Sequence, residues 1–150
     1  MNKSLFEKVT IVIPTYKRYP YLLRLLKFYE KYQLNINVLV LDSTPYNPVS
    51  DELVKLISAK NVIWKKFDPA IAFWDKIAQG VDFIDTDYAT MCADDDFIIP
   101  SAIAQCIKFL GDNPDYACTQ GLYFHHSKVE DSNQLSFTIS PLYNPPSSLG

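Results

Sequence analysis

The chain alternates between short apolar runs and longer stretches with a hydrophobic residue every three or four positions. Val9 to Ile13 reads Val-Thr-Ile-Val-Ile and is closed by Pro14. A β-branched run of this kind marks a central strand of a parallel sheet. Tyr19 to Tyr32 follows, with Leu22, Leu25, Leu26 and Tyr29 at helical spacing and Pro20 in the first turn. The alternation then repeats. Asn37 to Leu41 is a second buried strand, and Val49 to Ser58 carries a helical stripe of Val49, Leu53, Leu56 and Ile57. Asn61 to Phe67 is a third strand, and Ala70 to Phe83 carries Ile71, Trp74, Ile77, Ala78 and Val81 at helical spacing. Tyr88 to Ala93 is a fourth, buried strand. Ser101 to Leu110 is a helix stopped by Gly111. Asp115 to Phe124 reads as a fifth strand and Leu135 to Ile139 as a weak last one. Residues 1–140 then form the domain. Pro141 to Gly150 is rich in Pro and Ser and reads as a tail or linker.

This order predicts an α/β fold: a doubly wound, mostly parallel sheet with helices on both faces and right-handed crossovers. Ligands of such sheets gather at the carboxyl ends of the strands. Three loops should meet there: Pro14 to Arg18, Asp42 to Pro45, and Asp94 to Asp96. The last is the most telling. Three adjacent carboxylates, Asp94, Asp95 and Asp96, follow the fourth strand directly. Like charges side by side call for water or a cation. Mg²⁺ or Mn²⁺ often joins one or two carboxylates to substrate phosphates. Read alone, the triplet fits equally a solvated acidic turn ahead of the helix at Pro100.

Composition narrows the field. Of 150 residues, 48% are apolar and 21% charged, the balance of an ordinary soluble globular domain. A net charge of −3 offers no basic footprint for nucleic acid. Cys92, Cys106 and Cys118 form no CxxC pair, which points to reduced thiols acting as small buried hydrophobes. The first residues hold no signal-like apolar run, and no stretch approaches a membrane span, so a cytoplasmic location follows by default. Neither GxGxxG nor GxxxxGK[ST] occurs, which argues against a dinucleotide fingerprint and a P-loop. His125 and His126 could add a metal ligand, although an exposed pair at a strand end explains them more simply. Phe73 and Trp74 are read as core.

Three segments in order resemble glycosyltransferase family 2, nucleotide-sugar transferases of the GT-A fold. They are Val-Thr-Ile-Val-Ile-Pro-Thr-Tyr-Lys-Arg from Val9, Val-Leu-Val-Leu-Asp-Ser-Thr from Val38, and Ala-Asp-Asp-Asp-Phe-Ile-Ile-Pro from Ala93. The last is similar to the family's DXD region. The resemblance spans about Val9 to Phe124 and implies a Rossmann-like GT-A domain. It implies that Pro14, Thr15 and Tyr16 line the nucleobase pocket, that Asp42 accepts from the base, and that Asp94 holds the ribose. Asp95 would bind Mn²⁺ or Mg²⁺ on the diphosphate, with Asp96 assisting the metal or orienting its water, and Arg18 fits a phosphate contact and, equally, a solvated cation at the helix start. Many relatives carry an acid where this chain has Ala93, so the principal ligand stays open between Asp95 and Asp96. The implied reaction is inverting transfer from a UDP-sugar to a hydroxyl of a glycan or lipid-linked acceptor.

The sequence assigns no catalytic base. Glu130 and Asp131 follow the fifth strand but sit in a polar turn. The expectation is a chain that binds a nucleotide sugar and transfers it poorly unless further chain completes it. Two alternatives stand beside the transferase: a non-catalytic nucleotide-sugar-binding fragment, and a GT-A-like nucleotidyltransferase. The latter would want a Gly-rich basic loop where Pro14-Thr15-Tyr16 stands.

Overall fold

A computed structural model describes residues 3–32, 36–129 and 134–139. Glu130, Asp131 and the expected tail from Pro141 lie outside the described residues. The chain divides into two compact units, Met1–Ile107 and Lys108–Gly150.

The first unit is the α/β layer that the hydrophobic pattern predicts. β1 (Val9–Thr15), β2 (Asn37–Asp42), β3 (Val62–Lys66) and β4 (Tyr88–Met91) form one sheet in the order β3-β2-β1-β4. All three pairings are parallel, with Thr15 level with Asp42 and Val12 level with Met91. β1 is therefore central, and its carboxyl end lies between the loops that leave β2 and β4. A short α1 (Lys3–Phe6) precedes it. α2 (Tyr19–Lys31), α3 (Asp51–Ile57), α4 (Phe73–Val81) and α5 (Pro100–Asp112) connect and follow the strands.

The pleat sorts the core into two faces. Val9, Ile11 and Ile13 of β1 and Val38 and Val40 of β2 join Leu22, Leu25 and Leu26 of α2, Leu53 of α3 and Ile103 of α5. The alternate residues Val12, Leu39 and Leu41 face the other way, against Ile77 of α4. α4 comes close because Gly80 has no side chain. A Cβ there would lie 2.5 Å from Leu41 Cδ1, and Leu41 is fully buried. Gly80→Ala is expected to destabilise the fold by about 1–2 kcal/mol, because overpacking outweighs the better helix propensity of alanine. Urea unfolding checks this, and a gain in stability would show that Leu41 has room to move.

Four expectations need correction. Residues 113–123 form no strand. Gly121 and the polar pair Thr119-Gln120 interrupt that run, and Leu122 and Tyr123 are exposed. The second unit instead holds β5 (Phe124–Lys128) and β6 (Leu135–Ile139), an antiparallel pair. β4 is not buried on both faces, since Met91 is 50% exposed. Phe73 and Trp74 are exposed, Trp74 by 70%, because α4 turns Lys76 and Gly80 inward. Of the three cysteines, all free, only Cys92 is buried.

Candidate functional site

The carboxyl ends of β1, β2 and β4 carry the polar residues that the sequence singled out. β1 ends on Pro14 and Thr15, and Thr15 is buried. Lys17 then adopts φ 57°, a left-handed turn costly for any residue but glycine. The turn is held by a hydrogen bond from the Lys17 amide to Thr44 Oγ1 at 2.8 Å, which ties the β1 loop to the β2 loop. The turn delivers Arg18 to the start of α2, where no side chain caps the helix.

Arg18 meets the acidic turn. Its Nε lies 3.3 Å from Asp94 Oδ1 and its Nη2 lies 2.6 Å from Asp95 Oδ2. The other oxygen of Asp94 accepts a hydrogen bond from Thr15 Oγ1 at 2.8 Å. Asp94 is only 4% exposed, and burial raises its pKa despite Thr15 and Arg18. The hydrogen bond from Arg18 does the opposite at Asp95, holding its carboxyl below the usual range. Arg24, one turn and a half along α2, donates to the Asp95 carbonyl at 2.9 Å. Its guanidinium lies against the rings of Tyr21 and Phe97. α2 thus grips the turn at two points.

Asp42 is the second acidic centre, and it is wholly buried. Its Oδ2 accepts from Tyr19 Oη at 2.8 Å, Lys66 Nζ at 3.1 Å and Trp64 Nε1 at 3.2 Å. Its Oδ1 accepts from the Thr44 amide at 2.8 Å. Lys66 also donates to the carbonyls of Thr44 at 2.5 Å and Tyr46 at 3.1 Å. Burial and the bond to Asp42 together push the Tyr19 hydroxyl above its ordinary pKa.

For the helix after β3 the sequence leaves the polar residue open between Asp75 and Lys76, and α4 turns Lys76 inward. It is buried on α4 and donates to the Thr15 carbonyl at 3.2 Å and to Ser43 Oγ at 2.9 Å. Burial lowers its pKa, while Asp42 and Asp94 oppose that shift. The available signal was its spacing: Lys76 and Gly80 stand four apart, on one face of a helix.

A cavity of about 380 Å³ opens between these elements, lined among others by Pro14, Thr15, Tyr16, Arg18, Lys76 and Asp94. Phe73 closes part of the same wall. Asp42 is not among the lining residues and lies behind the pocket. Asp95 borders the same turn through Arg18, and Asp96 is partly buried beside it. His125 and His126 lie on β5 in the second unit.

Among the described residues, no three His, Cys, Asp or Glu side chains gather into a metal cluster. Two adjacent hard carboxylates nonetheless suit Mg²⁺ or Mn²⁺, which keep positions open for water and phosphate oxygens. Asp94 and Asp95 already converge on one cation, the guanidinium of Arg18. Asp94 and Asp95 are therefore the carboxylates that could hold such a metal.

The sequence model of glycosyl transferase family 2 matches residues 10–147. The chain belongs to that family. The match covers β1 from Thr10, β2 through β4 and every residue of the cavity wall, and supports a glycosyltransferase-type function. A comparison with curated proteins finds no significant match. Among the described residues, no helix is long and apolar enough to cross a membrane.

Proposed function

We propose that this family 2 domain binds a nucleotide-diphosphate sugar, a UDP-sugar, in the cavity at the carboxyl ends of β1 and β4. The sugar would pass with inversion to a hydroxyl acceptor in glycan synthesis. The supporting observation is the convergence of Thr15, Arg18, Lys76 and Asp94 on one pocket beside Asp95. Pro14, Thr15 and Tyr16 form the wall against the base, with Tyr16 as its aromatic face. Asp94, buried and held by Thr15, is placed to accept from ribose hydroxyls. Lys76 and Arg18 supply positive charge toward an anionic ligand. Asp95, with Asp96 beside it, would hold Mn²⁺ or Mg²⁺, which when bound neutralises the charge on the leaving diphosphate. Asp42 is wholly buried and already accepts four hydrogen bonds, which supports a first role in fixing its own loop rather than in reading a base.

The reading is tested by UDP release from UDP-sugars, measured apart from pyrophosphate release from nucleoside triphosphates. UDP release with an acceptor present is the expected result. A second reading, a binding module without turnover, draws on the cavity wall, where Asp94 is the one carboxylate among the described lining residues. It predicts thermal stabilisation by UDP and Mn²⁺, about 2.7 kcal/mol at a hundredfold excess over Kd, with no UDP release from any donor. Pyrophosphate release alone would instead indicate a nucleotidyltransferase.

A further inference from the structure

We propose that Arg18 is a resident counter-ion of the acidic turn that competes with the divalent metal for Asp95 and, once displaced, turns to the diphosphate of the donor. This rests on the site reading above and adds an order of events to it. Arg18 Nη2 sits 2.6 Å from Asp95 Oδ2, the carboxylate assigned to the metal, while its Nε reaches Asp94. A guanidinium and a divalent cation on that carboxylate repel each other and compete for its negative charge, so each weakens the binding of the other.

Three features make Arg18 displaceable. It is 43% exposed, so its head can move into solvent or into the cavity that it lines. It stands at an uncapped helix start, just after the left-handed turn at Lys17. Its guanidinium also rests 4.6 Å from the centre of the Tyr21 ring, a surface that can support the charge once the carboxylates are given up. Asp94 keeps its bond from Thr15 throughout, and Arg24 keeps its grip on the Asp95 carbonyl. The backbone of the turn can therefore stay in place while its counter-ion is exchanged.

The consequence is coupling between metal and nucleotide. Metal alone must move Arg18 to solvent and the Tyr21 ring, with no anion to replace the carboxylates. Metal together with a diphosphate offers Arg18 a new anionic partner. Mn²⁺ should bind weakly by itself and more tightly with UDP, and Arg18 should carry much of the difference.

The test is a titration of Mn²⁺, followed by its electron paramagnetic resonance signal, with and without UDP. It uses the wild-type chain, Arg18→Met and Asp95→Asn. Arg18→Met should tighten the binding of Mn²⁺ alone about tenfold and reduce the enhancement by UDP by a similar factor. Thermal melts in EDTA supply a second readout. Arg18→Met should melt lower than wild type without metal, and Mn²⁺ should raise its melting temperature by more. Unchanged or weaker binding of Mn²⁺ alone to Arg18→Met would overturn the proposal while leaving the metal site standing. If wild type and Asp95→Asn bind Mn²⁺ equally or not at all with UDP present, the metal reading itself falls, and this inference falls with it.

Discussion

Asp42→Ala is expected to lower folding stability by about 3–5 kcal/mol, the cost of removing one partner from a buried charged pair. The carboxylate is wholly buried and receives four hydrogen bonds, from Tyr19, Trp64, Lys66 and the Thr44 amide. Without it, the Trp64 indole and the Thr44 amide lose their acceptor, at about 1–3 kcal/mol for each buried group left unpaired. Lys66 is partly exposed and can recover some hydration, which keeps the sum within that range. The loop from Ser43 to Tyr46 is pinned through the same cluster and should loosen as well. Urea unfolding of the ligand-free protein measures the effect. A variant as stable as wild type but blind to UDP would show that Asp42 reads the base after all.

Asp95→Asn should reduce Mn²⁺-dependent UDP affinity by at least about 100-fold, or on the order of 3 kcal/mol, with little change in the fold. Asp95 is 40% exposed and its pair with Arg18 lies at the surface, where such pairs contribute about 0–1 kcal/mol. Relief of repulsion within the triplet adds little, since Arg18 already offsets the charge of Asp94 and Asp95 together. The metal would lose a charged ligand in exchange for a neutral one, and that difference appears only when metal and diphosphate are both present. Calorimetric titration of UDP with and without Mn²⁺ separates the two contributions. Equal affinities for wild type and Asp95→Asn in Mn²⁺ would move the metal away from this residue.

Strands in this chain announce themselves where both faces are apolar. Val-Thr-Ile-Val-Ile and Val-Leu-Val-Leu lie within β1 and β2, and the loops that close them carry Thr15 and Asp42. The acidic turn after β4 was visible as three consecutive carboxylates, but the triplet alone did not separate a site from a solvated turn. The pattern misled where burial is one-sided. α4 has an apolar stripe through Trp74 and Val81, yet those residues are exposed while Lys76 and Gly80 face the sheet. A lysine is buried there because the carbonyl of Thr15 and the hydroxyl of Ser43 wait at the strand ends to receive its ammonium. No periodicity can reveal partners that come from other parts of the chain. The same holds for Asp42. Its place at the end of a strand was visible, but the donors that occupy it arrive from α2 and β3. At Asp115 to Phe124 the apolar content suggested a strand, and the interrupting glycine and polar residues prevailed.

With β2 on one side and β4 on the other, β1 cannot lose its ladder without dismantling the sheet. β4 has one described neighbour and an exposed face, so it can fray on its own. The two halves of the pocket therefore open at different free energies. Pro14 and Thr15 are paired to β2, beyond the register that β1 shares with β4, so fraying of β4 need not open them. The acidic turn hangs from a strand that can detach locally, restrained by Arg24 and by the hydrogen bond between Thr15 and Asp94. A fluctuation that frees Asp95 then need not disturb the cavity wall formed by Pro14 and Thr15.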